Sequence, residues 1–206
     1  MNFLIQSFPE KSRMQKDCRS IKFDLNDKQA ELLTEYAEIL SERSLTTNLI
    51  GPKESYRLWE RHILESISYI QLLDRSSKVV DIGSGAGFPG IVLGILGMDM
   101  ILLEPRRKRN LFLSHVIERL ALEKTEVIPL KIESVDPGIL GDQFVARTVA
   151  SPEVLLELIR RKKEGQSKLV YRVPPDIELT IGNKYIKLEC PPLDRQGFLV
   201  QYRTCS

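Results

Sequence analysis

One stretch constrains this chain more than any other: Val79-Val80-Asp81-Ile82-Gly83-Ser84-Gly85-Ala86-Gly87-Phe88-Pro89-Gly90. It opens on an apolar run, Lys78 to Ile82, of a length that suits a short buried strand. Glycines follow at alternate positions, and Ile91 to Leu96 then supplies an apolar segment for a helix. Strand, glycine loop and helix make the first half of a nucleotide-binding βαβ unit. Glycine suits the loop because the chain must turn sharply and a Cβ would hold the backbone away from a ligand. The helix N-terminus behind it offers unpaired N–H groups to the polar end of that ligand.

The glycines can be read in two frames. Gly85 to Gly90 matches the dinucleotide fingerprint G-x-G-x-x-G, a weak signal by itself. Read from Asp81, the pattern is acidic-x-G-x-G-x-G through Gly83, Gly85 and Gly87, which resembles motif I of the class I S-adenosylmethionine (SAM) methyltransferases. A pyrophosphate would meet the Asp81 carboxylate with like-charge repulsion, whereas the ammonium and sulfonium of SAM are cationic and the ammonium can be hydrogen-bonded there. Met100 to Glu104 reads as the second strand, and Glu104 ends it roughly 20 residues past the glycines, where a ribose-binding carboxylate belongs. NAD and SAM both carry ribose, so Glu104 supports an adenosyl cofactor of either kind. The charge argument favours SAM; NAD, or glycines that serve packing alone, are the alternatives.

A length of 206 residues allows one domain with a small extension, and 42% hydrophobic with 28% charged residues is ordinary for a soluble globular protein. No apolar run is long enough to span a bilayer. Met1 to Pro9 lacks the basic start and long apolar core of a signal peptide. Cys18, Cys190 and Cys205 fit neither a disulfide framework nor a zinc site, which implies no metal and a reducing cytoplasm. A net charge of only +2 means that a nucleic-acid partner must be met by local basic patches. Lys11 to Arg19 and Arg160 to Lys163 are candidates, the second reading better as a solvated helix C-terminus. Arg106 to Arg109 carries more weight, because it starts a helix, where the dipole disfavours cations, beside the expected cofactor edge.

Residues 1–20 show no clear period and read as an arm. From Asp27, Leu32, Leu33, Tyr36, Ile39 and Leu40 recur at helical spacing, with Asn26 or Asp27 as the cap. Gly51-Pro52 interrupts, and Tyr56, Trp59, Ile63, Ile67 and Ile70 predict a second helix to Leu73, in which His62 reads as a structural residue. From Lys78 strand and helix alternate: a helix from Arg106 to Leu120 with Leu111, Val116, Ile117 and Leu120 inward, a strand Thr125 to Leu130, and a strand Phe144 to Ala146. A helix then starts at Pro152 and runs to Ile159, and a fifth strand spans Ser167 to Val173. Lys184 to Glu189 and Gly197 to Arg203 complete the pattern as an antiparallel pair. The expected fold class is therefore α/β: a Rossmann-like, doubly wound, mostly parallel sheet with an antiparallel C-terminal edge. A small helical extension over residues 1–74 precedes the methyltransferase domain of residues 75–206. Ligands in such sheets bind beyond the strand C-termini, which collects Gly83 to Phe88, Glu104, Ile132-Glu133 and Arg147 on one rim.

At this point the residues resemble a known family. From about Leu25 onward, Asn48-Leu49, Arg61-His62-Ile63-Leu64-Glu65-Ser66, Asp81 to Gly90, Lys108-Arg109 with Phe112-Leu113, and Arg147 are similar to the bacterial 16S ribosomal RNA guanine-N7 methyltransferases. The resemblance implies SAM contacts at Gly83, Phe88, Glu104, Ile132, Glu133 and Arg147, with Phe88 and Ile132 shielding the adenine and Arg147 near the methionine end or the substrate. Asp81, Gly85 and Gly87 complete the expected cofactor set. Arg147 and Arg172 are the expected catalytic residues, and Arg106, Arg107, Arg109 and Arg195 the RNA-binding ones. The chain departs from the family pattern at Arg43-Ser44, at Ser114 where an arginine is usual, and at Arg172-Val173. Gly197 stands at the place of a late arginine, with Arg195 two residues earlier.

Guanine N7 has a free lone pair, so its methylation needs positioning more than acid–base help. The chain lacks the Asn-Pro-Pro-Tyr type of motif that serves exocyclic amines. Cys190-Pro191 falls too late in the chain for a cysteine nucleophile. The expected function is methyl transfer from SAM to guanine N7 in 16S rRNA or the small ribosomal subunit, by a cytoplasmic monomer without metal or membrane. The alternatives are a SAM-binding ribosome-assembly or RNA-binding module without turnover, and a small-molecule methyltransferase.

Overall fold

The computed structural model describes residues 8–47, 49–51, 54, 56–179 and 183–204. Residues 1–7, Asn48, Pro52 and Cys205, all used above, lie outside the described residues. Seven strands form one sheet: β1 (Val79–Ile82), β2 (Met100–Leu103), β3 (Thr125–Ile128), β4 (Gln143–Ala146), β5 (Lys168–Val173), β6 (Lys184–Leu188) and β7 (Gly197–Arg203). Their order is β3-β2-β1-β4-β5-β7-β6. The first five in that order are parallel, and β7 runs antiparallel to both β5 and β6. Chain order reverses between β1 and β4, so the crevice beyond their C-terminal ends is where a ligand belongs.

β1, β2 and β4 are buried along their whole length, as strands covered on both faces must be. The period of two divides them between two apolar clusters. Val79, Met100, Leu102 and Val145 belong to one; Val80, Ile82, Ile101, Leu103, Phe144 and Ala146 belong to the other. The first face is covered by α1 (Lys11–Ser20), α2 (Asp27–Thr47), α3 (Leu64–Ser68), α4 (Gly90–Ile95) and α5 (Arg107–Arg119). The second is covered by α6 (Pro152–Lys162) through Leu155 and Ile159, with Ile132, Val135 and Leu140 from the connections.

α2 starts where its cap predicts. The Asn26 side chain accepts from the Gln29 N–H at 2.9 Å, and the Gln29 side chain accepts from the Asn26 N–H at 3.2 Å, a reciprocal capping box. Pro152 opens α6 in its first turn, and Arg160, Arg161 and Lys162 close it.

Four expectations are corrected. Residues 11–20 are not an irregular arm but α1, anchored by buried Met14 and Cys18 and by Asp17, which accepts from the Trp59 indole N–H at 2.9 Å. The second helix is present but not uniform: after Tyr56, which is 58% exposed, a π turn over Leu58–Ile63 runs into α3 and then a 3-10 turn over Tyr69–Leu72. Trp59, Ile63, Ile67 and Ile70 are buried together along it, as their helical spacing requires. In α5, Leu111 faces solvent at 58% exposure, and Phe112 and Leu113 are buried in its stead. Strand three also ends at Ile128 rather than at Leu130.

Candidate active site

β1 hands the chain to the glycine loop at the switch point. Gly83 (φ +72°), Gly85 (φ +60°) and Gly87 (φ +104°) all take left-handed backbone that side chains resist. At Gly83 an added Cβ would come 2.7 Å from Val149 Cγ2, and at Gly87 it would come 2.6 Å from Ile91 Cγ1 and 2.8 Å from the Tyr36 hydroxyl. The loop is pinned from α2, where Tyr36 donates to the Ala86 carbonyl at 2.6 Å. Burial pushes the Tyr36 phenol well above its ordinary pKa, so the hydroxyl keeps its proton for that bond.

Beside the loop lies a cavity of about 800 Å³ at the C-terminal ends of β1, β2 and β4. Gly83, Gly85, Phe88, Glu104, Ile132, Glu133 and Arg147 all line it, as do Arg106 and Arg109. Both Glu104 oxygens hold backbone: Oε2 accepts from Gly85 N–H at 2.9 Å and Oε1 from Arg106 N–H at 2.8 Å. Each oxygen keeps a lone pair for a ligand hydroxyl. The carboxylate also faces the start of α5, whose first turn is entirely cationic or amide-bearing, and offsets its charge. Arg107 stands exposed in that turn, outside the cavity lining.

Phe88 and Ile132 both line the cavity. They belong to apolar clusters on opposite faces of the sheet and meet the cavity from separate sides. Phe88 is packed by Tyr36 (centroids 5.6 Å apart), by His62 (5.1 Å) and by Arg147, whose guanidinium lies 5.0 Å from the ring centroid.

His62 is the residue that sequence reasoning undervalued. It lines the cavity, and its Nδ1 lies 2.6 Å from Arg147 Nη2, while Nε2 lies 3.2 Å from Glu54 Oε2. A guanidinium can only donate, so Nδ1 is the acceptor and Nε2 carries the proton. Burial, reinforced by the Arg147 charge, pushes the imidazole down to about 3, so the ring is neutral near pH 7. Glu54 also binds Arg61 Nη1 at 2.6 and 2.8 Å, and Arg61 Nε reaches Asp194 at 2.7 Å. No local signal could have announced this, because the ring partners are 85 residues downstream and 8 upstream.

Arg172 and Arg195 are not in the cavity wall. Arg172 donates to the Gln196 carbonyl at 2.8 Å, and both arginines contact Glu65 on α3. Arg147 reaches the same carboxylate at 3.7 Å. Asp81 and Gly87 also lie outside the cavity lining. By the period of two, Asp81 shares the face of Val79 and points toward α4. It is fully buried, and its Oδ2 accepts from the Gly90 N–H at 3.0 Å. Its other oxygen, Oδ1, is buried with no hydrogen-bond partner. Gly90, the third glycine of the dinucleotide frame, packs α4 closely against β1. The residues present fit SAM, with glycine backbone, a carboxylate for ribose hydroxyls, and apolar Ile132, Leu155 and Leu158 for a purine face.

Comparison with known proteins agrees. A family model described as rRNA small subunit methyltransferase G matches residues 29–187. The chain belongs to that family. Relatives named ribosomal RNA small subunit methyltransferase G include one from Thermobifida fusca (strain YX), 41% identical over 140 residues, covering 66% of this chain and 59% of that protein. Another, from Mycobacterium ulcerans (strain Agy99), is 40% identical over 149 residues, covering 69% of this chain and 87% of that protein. The chain thus spans about three-fifths of the first relative's length. Among solved structures, MtNAS in complex with MTA and tNA superimposes with a TM-score of 0.57 at 18% identity, covering 95% of this chain and 87% of that one. A SAM-dependent methyltransferase from Aquifex aeolicus gives 0.53 at 15% identity, covering 79% and 98%. These likenesses show the fold: the methyltransferase G family member has the Rossmann-like α/β sheet with an antiparallel edge.

A prediction follows from Tyr36. Tyr36→Phe conserves volume but leaves the Ala86 carbonyl without its donor, a loss of roughly 1–2 kcal/mol. Calorimetry should show weaker SAM binding and a lower melting temperature; no change in either would mean the hydroxyl does not hold the loop.

Proposed function

We propose that this chain transfers the methyl group of SAM to N7 of a guanine in 16S rRNA of the small ribosomal subunit, as a cytoplasmic monomer. The observation that carries the reading is the cavity in a member of this family: glycine loop and Glu104 on one side, Arg106, Arg109 and Arg147 at its border. SAM, when bound, supplies a methyl carbon that a lone pair can attack while the C–S bond breaks and sulfur keeps its electrons. Guanine N7 already has that lone pair, so no side chain need remove a proton, and position supplies the rate. Glu104 would hold the ribose hydroxyls, and the glycine backbone would admit the cofactor closely. Arg106 and Arg109, with Arg107 beside them, would meet RNA phosphate, which positions the target without reading it. N7-methylation leaves the guanine cationic, and the neutral His62 keeps one further cation off the wall beside Arg147.

Among the described residues no group of three or more His, Cys, Asp or Glu could hold a metal, and no helix is long and apolar enough to cross a membrane. The decisive experiment incubates the protein with tritiated SAM and small subunits from a strain lacking the gene. Label recovered as N7-methylguanosine in 16S rRNA is the expected result. No label with SAM binding intact would overturn the reading. Gly85→Asp, which puts a carboxylate beside Glu104 on left-handed backbone, should lose SAM binding; unchanged binding would remove the glycine loop from the cofactor site.

A further inference from the structure

Glu65 lies on α3, is 1% exposed, and is met by Arg147, Arg172 and Arg195 from three separate parts of the sheet. Arg147 follows β4, Arg172 lies within β5, and Arg195 stands just before β7. Arg195 grips the carboxylate as a fork, Nε to Oε2 and Nη2 to Oε1, both at 3.2 Å. That pair alone satisfies a buried carboxylate. Arg172 Nε lies 3.3 Å from Oε2 at an angle that makes no hydrogen bond, and Arg147 Nη1 lies 3.7 Å from Oε1. Burial, with the Arg195 charge adding to it, holds the Arg172 guanidinium below its ordinary pKa.

A structural ion pair needs one arginine. Three around one carboxylate leave two positive charges in surplus, crowded where water is scarce, and such crowding is costly until an anion joins it. The side chains are graded in exposure, from Arg147 at 11% and Arg172 at 13% to Arg195 at 34%. Charge therefore runs from the cavity wall out to solvent, with Glu65 beneath all of it.

We propose that Glu65 is a positioning residue for the acceptor side of the cavity: it gathers Arg147, Arg172 and Arg195 into one fan whose surplus charge takes a phosphate of the RNA strand and whose inner member fixes the guanine beside the methyl group. This rests on the RNA methyltransferase reading above. Glu65 touches neither substrate nor cofactor; it acts through the guanidinium groups. Its loss would therefore harm geometry and not attraction. Without the carboxylate the fan is more positive, so RNA still arrives, but it arrives at arginines that no longer point together.

The test compares Glu65→Gln, which keeps the shape and removes the charge, with Glu65→Asp, which keeps the charge. For Glu65→Gln we expect SAM affinity within roughly twofold of the parent, small-subunit affinity no weaker, and kcat lower by roughly tenfold to a hundredfold. Glu65→Asp should recover most of the turnover. Side-chain NMR gives a readout independent of activity: the protected Arg195 Nε–H signal of the parent should vanish in Glu65→Gln. An unchanged signal, or turnover within about twofold of the parent, overturns the proposal. So does loss of SAM binding in step with turnover, which marks a purely structural residue. If Glu65→Gln does not fold, Arg195→Lys, which keeps charge and loses the fork, must show the same split between kcat and affinity. Should the parent itself leave 16S rRNA unlabelled, the functional reading fails, and the NMR comparison still decides whether Glu65 holds the fan.

Discussion

Replacing Gly90 with alanine is expected to be the most damaging small substitution in the glycine loop. The new Cβ would lie 2.5 Å from Asp81 Oδ2 and would overlap Leu102 Cδ2 outright. Neither neighbour can withdraw, because Asp81 and Leu102 are fully buried in β1 and β2. Overpacking of this kind costs about 1–3 kcal/mol, and displacing the carboxylate also strains its bond from the Gly90 N–H, worth another 1–3 kcal/mol or so. A drop in melting temperature of about 10 °C follows for a chain of this size. Gly51→Ala is the control, since an added Cβ there meets nothing within 4 Å. Thermal unfolding that ranks the two variants alike would contradict the packing described at the start of α4.

The second large effect is a dependence of stability on pH. Burial pushes the Asp81 carboxyl up to about 7 from its ordinary 3.8. Between those values the folded chain holds a proton that the unfolded chain lacks, so raising the pH removes stability across that window. His62 works the other way. Its ring falls to about 3 from 6.5, so the unfolded chain holds the extra proton, and raising the pH adds stability across that window and none above it. The two slopes oppose each other, and the parent should be nearly flat from about pH 4 to pH 6.5. Asp81→Asn removes one of them. Its stability relative to the parent should rise with pH by an amount on the order of 4 kcal/mol across the carboxyl window. Urea denaturation at several pH values measures this, and a difference that does not move with pH would refute the raised carboxyl.

How much of this could be read from the chain? The strand, glycine turn and helix at Asp81 to Ile95 were legible because sequence-adjacent residues make their own local structure there. Glu104 was legible because the βαβ unit fixes where its strand must end. α1 was not, since only Met14 and Cys18 of its ten residues are buried, too few to print a period on a lysine- and arginine-rich segment. The bond from the Gly90 N–H to Asp81 was not legible, because the motif gives position along the strand and the pleat decides the face. The cluster at Glu65 was invisible for another reason: its partners lie 82, 107 and 130 residues away, and a charged residue in an apolar helix looks like a solvated one. Gly197 and Arg195 show how a departure from a pattern can be explained by packing. A Cβ at Gly197 would come 2.6 Å from the Val173 carbonyl, so no arginine fits there, while the side chain two residues earlier reaches Glu65.

Tyr36 and His62 give the cavity a seam that the order of elements conceals. The glycine turns and Glu104 all come after β1 begins, yet the hydroxyl that steadies Ala86 and the ring that leans on Phe88 come from residues before it. A fragment cut at the start of β1 would keep the glycine loop and Glu104 and still be a poor receptor. Conversely, whatever binds in the cavity presses on both sides of the seam, so occupancy should slow hydrogen exchange in α2 as well as in the sheet.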